Sequence, residues 1–106
     1  MNDVSDRVSD VPRATMAQFL AETFSIEVPI EKLDVLVARI GLGYSYERAG
    51  EVLGVNANTL RSRMRYVREA LGWEPDGADR NYTYWKLTAM YFGWRGRSAL
   101  TIGKRG

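Results

Sequence analysis

Between Leu53 and Gly72 the chain reads LGVNANTLRSRMRYVREALG, where Arg61, Arg63, Arg65 and Arg68 are accompanied by one acid, Glu69. Arginine presents N–H donors in a planar fork that stays charged, and asparagine and serine add short hydrogen-bonding groups, so the stretch is equipped to meet a polyanion. At about 100° per residue, Leu60, Met64, Val67 and Leu71 share one stripe of a helix. Asn58, Arg61, Ser62, Arg65 and Glu69 cluster opposite, with Arg63 and Arg68 flanking. A helix fits the DNA major groove, about 12 Å wide, where arginine can donate two hydrogen bonds to guanine, asparagine can pair with adenine and serine can contact either. Small residues at Ala57, Asn58 and Ser62 permit close approach. A solvated arginine face would look the same, so this pattern alone leaves both readings open.

Other chemistries are narrowed by composition. The 106 residues contain no cysteine and no histidine, which excludes disulfides and thiolate metal sites and removes the commonest general base. Glu47, Glu51 and Glu69 form no recognisable metal-binding pattern, so no catalytic residues, metal or cofactor are expected and the chain does not read as an enzyme. The charge is divided: residues 1–53 hold five Lys/Arg against nine Asp/Glu, and residues 54–106 hold ten against four. The second half is therefore the electropositive half. No stretch approaches the roughly 20 apolar residues that span a bilayer, and the N-terminus lacks the pattern of a secretion signal, so a soluble cytoplasmic protein without membrane attachment is expected.

The elements that would position the arginines can be read along the chain. Residues 1–13 are polar and read as a flexible leader. Met16, Phe19, Leu20 and Phe24 have one-sided helical spacing after a start signal at Thr15, which predicts a helix over 14–24. Pro29 suits a first helical position, and Ile30, Leu33, Leu36, Val37 and Ile40 then line one face until Gly41 and Gly43. Ser45 can cap a third helix with Ala49, Val52 and Leu53 inward; Gly54 ends it and Asn56 caps the arginine helix. A short helix, a glycine-bearing turn and a longer helix with a small-polar and arginine outer face form the arrangement that places a recognition helix in the major groove.

The segment from Val28 to Gly72 resembles the C-terminal promoter-binding domain of RNA polymerase sigma factors, the region 4 part that reads the −35 element, and its relatives the LuxR-type regulators. The resemblance is carried by Pro29, by Leu36, Val37 and Arg39, by Gly43 and Ser45-Tyr46-Glu47, by Val52-Leu53-Gly54-Val55, and by Asn58-Thr59-Leu60-Arg61-Ser62-Arg63-Met64. It implies a helix-turn-helix core over 28–72 within a DNA-binding domain spanning 14–92. It also implies base reading by Asn58, Arg61, Ser62 and Arg65. Phosphate contacts would come from Ser45 and Tyr46, from Asn56 and Thr59, and from Arg63 or Arg68. Arg63, Tyr46 and Asn56 have structural readings of equal weight, as a packed stem, a cover for the helix pair and a cap.

The chain departs from the family at two places. Arg48 stands where an acid usually completes a reciprocal cap, a position at which a phosphate could compensate. Ala49-Gly50 replaces a large aliphatic residue followed by alanine, which thins the helix, weakens it by about 1 kcal/mol and implies closer packing. A working sigma factor also needs a domain that grips the polymerase, and no stretch here is long enough to supply one; a stand-alone regulator is expected.

After Gly72, Pro75 and Gly77 mark a break, and RNYTYWKLTAMYFGW then places six aromatics in 15 residues. A helix over 80–92 is predicted, with Tyr82, Trp85, Ala89 and Phe92 on one face and Leu87 and Tyr91 on a second; the alternation Tyr82, Tyr84, Lys86 keeps a β-wing as the alternative. One face would cover the core and the other a second copy of the chain, as LuxR-type domains dimerise through a helix at this place; completion of a single monomeric core is the competing reading. Residues 93–106 read as a mobile basic tail in which Lys104 and Arg105 meet phosphates. The expected fold is thus all-α, a helix-turn-helix bundle of about five helices with an aromatic C-terminal helix and flexible termini. The expected function is a transcription regulator that inserts helix 57–71 into double-stranded DNA; the alternative is an interaction module for RNA polymerase or another regulator.

Overall fold

Apolar residues recurring every three or four positions build five helices, and there are no strands among the described residues. The structure, a computed structural model, describes the backbone of residues 10–105 and the side chains of residues 12–97. Helix α1 spans Asp10–Phe24, α2 spans Ile30–Leu36 and continues as a π-helical turn over Val37–Gly41, α3 spans Tyr46–Leu53, α4 spans Ala57–Leu71 and α5 spans Tyr82–Arg105. The all-α expectation therefore holds, and the segment expected as either a helix or a β-wing is a helix.

One core is shared by all five. Phe19 of α1 is fully buried at its centre, with ring centroids 5.2 Å from Tyr91, 5.6 Å from Trp94 and 5.6 Å from Phe24. Leu33, Val35, Leu36 and the π turn's Val37, Ala38 and Ile40 supply the middle layer, and Leu60, Met64 and Val67 close it from α4. Two polar ties lock α1 in place. Arg13 donates to Asp34 through Nε (2.6 Å) and Nη2 (3.0 Å), a bidentate pair that joins α1 to α2. Trp94 Nε1 donates to Glu22 (2.9 Å), which ties α5 to α1 across the sequence.

Several boundaries differ from the sequence-based expectation. The first helix starts at Asp10 rather than at the Thr15 signal; Pro12 is tolerated in an opening turn, where N–H groups lack helical partners, and Arg13 is anchored by Asp34. The expected leader is thus helical from residue 10, and residues 1–9 lie outside the described residues. Pro29 is the residue that caps α2, one position before the helix, and Ile30, expected inward, is 59% exposed. The last helix runs to Arg105 instead of ending at Phe92, so most of the expected tail is helical. Trp94, buried beside Phe19 and Tyr91, holds the helix past Gly93.

Candidate nucleic-acid interface

The turn between α3 and α4 is set by three local features. Ser45 Oγ accepts from the Arg48 N–H (3.0 Å), Gly54 adopts the left-handed conformation (φ 70°) that ends α3, and Asn56 Oδ1 accepts from the Asn58 N–H (2.7 Å) to start α4. The first half of a capping box is therefore kept although Arg48 replaces the acid, and the freed Arg48 side chain pairs with Glu51 (3.4 Å). Gly50 accounts for the thin helix: the Val55 N–H bonds to the Gly50 carbonyl (3.0 Å), and a Cβ at Gly50 would lie 2.5 Å from the Val55 carbonyl oxygen. Only a glycine lets the turn fold this closely across the last turn of α3.

This turn presents α4 edge-on, with its two sides divided as its sequence spacing requires. Leu60, Met64 and Val67 are buried and Leu71 is half-buried, whereas Asn58, Thr59, Arg61, Ser62, Arg65 and Glu69 are exposed. Arg63 and Arg68 lie between, half-buried. Arg61 is held in place: it donates to Asn58 Oδ1 (2.9 Å) and Glu47 Oε2 (3.2 Å), and its guanidinium lies 4.9 Å from the centre of the Tyr46 ring. Glu47's own backbone N–H and the Arg61 guanidinium hold its carboxyl below the usual glutamate range. By contrast, Arg63, Arg65 and Arg68 have no ion pair, side-chain hydrogen bond or ring contact among the described residues.

Behind this surface Arg39 is the buttress. Its guanidinium is sandwiched between the rings of Tyr46 (4.4 Å) and Tyr84 (4.3 Å) and donates to the Tyr44 carbonyl (2.7 Å), so the π turn is joined to α3 and α5 at one point. Tyr46, read with equal weight as a phosphate contact or a cover for the helix pair, is half-buried between Arg39 and Arg61. Neither Glu47 nor Arg39 was singled out for these roles in the sequence. Their partners lie on other elements, and only the acid-base complementarity of Glu47 with a distant arginine could have hinted at one of them.

The remaining expected residues fall in two places. Tyr82, Trp85, Ala89 and Phe92 are all exposed on one stripe of α5, while Leu87, Tyr91 and Trp94 of the same helix are buried. Lys104 and Arg105 belong to α5 by backbone, but their side chains lie outside the described residues. Among the described residues no three Asp or Glu side chains gather as a metal ion would need, and no helix is long and apolar enough to cross a membrane. No protein-family model, no curated protein and no solved structure gives a significant match to this chain.

Proposed function

We propose that this protein is a sequence-specific transcription regulator that inserts α4 into the major groove of double-stranded DNA. The observation that carries the reading is the division of α4. A 15-residue helix, roughly 22 Å long, keeps Leu60, Met64 and Val67 in the core and turns Asn58, Arg61, Ser62 and Arg65 to solvent. Exposed Ser45, Arg48, Asn56 and Thr59 surround the ends of α3 and α4 where a strand's phosphates would pass, and Arg63 and Arg68 flank the outer face. A second copy of the chain would pack on the stripe of Tyr82, Trp85 and Phe92, which are 51%, 58% and 48% exposed, with the small Ala89 between Trp85 and Phe92 in sequence. Two copies would then read half-sites about one helical turn apart.

Mobility shift of genomic and random duplexes across a salt series tests the reading. A preferred site together with steep salt dependence is expected. Unchanged DNA affinity in Arg61→Ala, combined with capture of RNA polymerase, would instead make the arginine face a protein-binding surface.

A further inference from the structure

The loop between α4 and α5 is built as carefully as the helices it joins. Asp76 Oδ1 accepts from the Thr83 N–H (3.1 Å) and the Thr83 hydroxyl (2.7 Å), and Asp79 Oδ1 accepts from the Asn81 N–H (2.9 Å). These bonds pin the loop to the opening of α5. An open cleft of about 390 Å³ remains between these residues and α4, with Arg61, Arg65 and Arg68 along one wall, Arg80 on the other and Tyr46 at its edge.

The charges around this cleft do not balance. Asp76 is the only carboxylate among the residues lining the cleft, one of its oxygens accepts from Thr83, and among the described residues Glu47 pairs with Arg61 alone. Arg65, Arg68 and Arg80 have no ion pair or hydrogen bond among the described residues, and Arg68 Nε is enclosed with no acceptor. An enclosed guanidinium donor without a partner forfeits its hydration, and neighbouring cations raise that cost. A tetrahedral phosphate offsets the crowding of like charge: its oxygens accept from several guanidinium forks at once, through charge-assisted bonds that guanidinium geometry favours over a point cation.

We propose that this cleft is a phosphate site, and that its occupant in the working complex is a backbone phosphate of the DNA strand bordering the groove that α4 enters. The source of the phosphate rests on the DNA-binding reading of α4; the site itself rests on the unpaired arginines. Arg61 and Arg65 belong both to the outer face and to the cleft, so a strand passing α4 runs into it. The DNA footprint then extends to Arg80, which lies outside the part of the chain resembling sigma and LuxR-type domains.

Arg80→Ala in the full chain is the direct test, since Arg80 is exposed and supports no core residue. Its affinity for preferred and random duplexes should fall by the same factor, and the slope of log affinity against log salt should flatten by about 0.9. Inorganic pyrophosphate titrated onto the DNA-free chain should shift the arginine Nε–Hε resonances of Arg65 and Arg68, and Arg80→Ala should weaken that response. An unchanged slope together with no pyrophosphate response overturns the proposal. A pyrophosphate response with an unchanged slope overturns the DNA occupant and leaves a site for free polyphosphate. If no duplex binds at all while pyrophosphate does, the reading of α4 fails and the phosphate site stands.

Discussion

Arg61 of α4 and Glu47 of α3 meet at 3.2 Å across the turn that separates their helices. The pair is exposed, so its contribution to stability is small, but it orients the guanidinium. Arg61 is held by Glu47, Asn58 and the Tyr46 ring at the same time, which limits its rotamers before any ligand arrives. Under the DNA-binding reading, a guanidinium already fixed loses less entropy when it meets a guanine edge. Arg61→Ala should therefore cost about 1–3 kcal/mol on the preferred site and relax discrimination at one base pair, read by competition binding against single-base variants.

Glu47, through its own backbone N–H first and the Arg61 guanidinium second, also sets a pH dependence. Glu47 is held below the usual glutamate range, so its stabilising contribution is complete above that range and is lost as pH falls through its depressed folded-state value. Carboxyl titration by NMR should find Glu47 low in the native chain. Arg61→Ala should raise it only part of the way, because the Glu47 backbone N–H, the larger cause, remains. A full return to the usual range would mean that the guanidinium alone is responsible.

Gly50→Ala separates helix propensity from packing. In an isolated helix alanine is better by about 1 kcal/mol, and a propensity argument expects stabilisation. Here the added Cβ meets the Val55 backbone oxygen at 2.5 Å, an atom that cannot swing away as a side-chain end could. Overpacking of this kind costs about 1–3 kcal/mol. The melting temperature should fall, and amide exchange should quicken first in the Gly54–Asn56 turn.

How much could be read beforehand depended on the range of the interaction. The burial of Leu60, Met64 and Val67 opposite Arg61 and Arg65 was legible because helical periodicity is local, and so were the caps at Ser45 and Asn56 and the stop at Gly54. The tail expected over 93–106 is largely helical because burial of Trp94 against Phe19 outweighs the low helix propensity of Gly93 and Gly96. Arg39 between Tyr46 and Tyr84, the Glu47–Arg61 pair and the Asp76–Thr83 cap depend on approaches that exist only after folding. The π turn over Val37–Gly41, marked by the Leu42 N–H to Val37 carbonyl bond (2.9 Å) and carrying Arg39, had no sequence signal.

Arg39→Ala should be more damaging than its half-buried position suggests. It removes two ring contacts and the hydrogen bond to the Tyr44 carbonyl, interactions worth about 0.5–2 kcal/mol per cation–π pair and about 1.5–3 kcal/mol for a charged hydrogen bond before compensation by water. Chemical denaturation should show a loss of at least about 2 kcal/mol by that reasoning. Arg39→Lys should recover only part of it, since an ammonium cannot lie flat between two rings.

The exposed stripe on α5 gives the last expectation. Trp85 and Phe92 are exposed and Ala89 lies between them, so polar replacements there remove apolar surface without opening the core formed by Leu87, Tyr91 and Trp94. If the stripe joins two copies, Trp85→Ser with Phe92→Ser should leave the melting transition of the diluted chain nearly unchanged and abolish association in sedimentation equilibrium. Operator affinity should then fall most on sites with two half-sites, because linked binding is lost while each α4 keeps its own contacts. A chain that sediments as a monomer before and after the substitutions would remove the dimer from the scheme and leave single-site recognition by α4 to be judged alone.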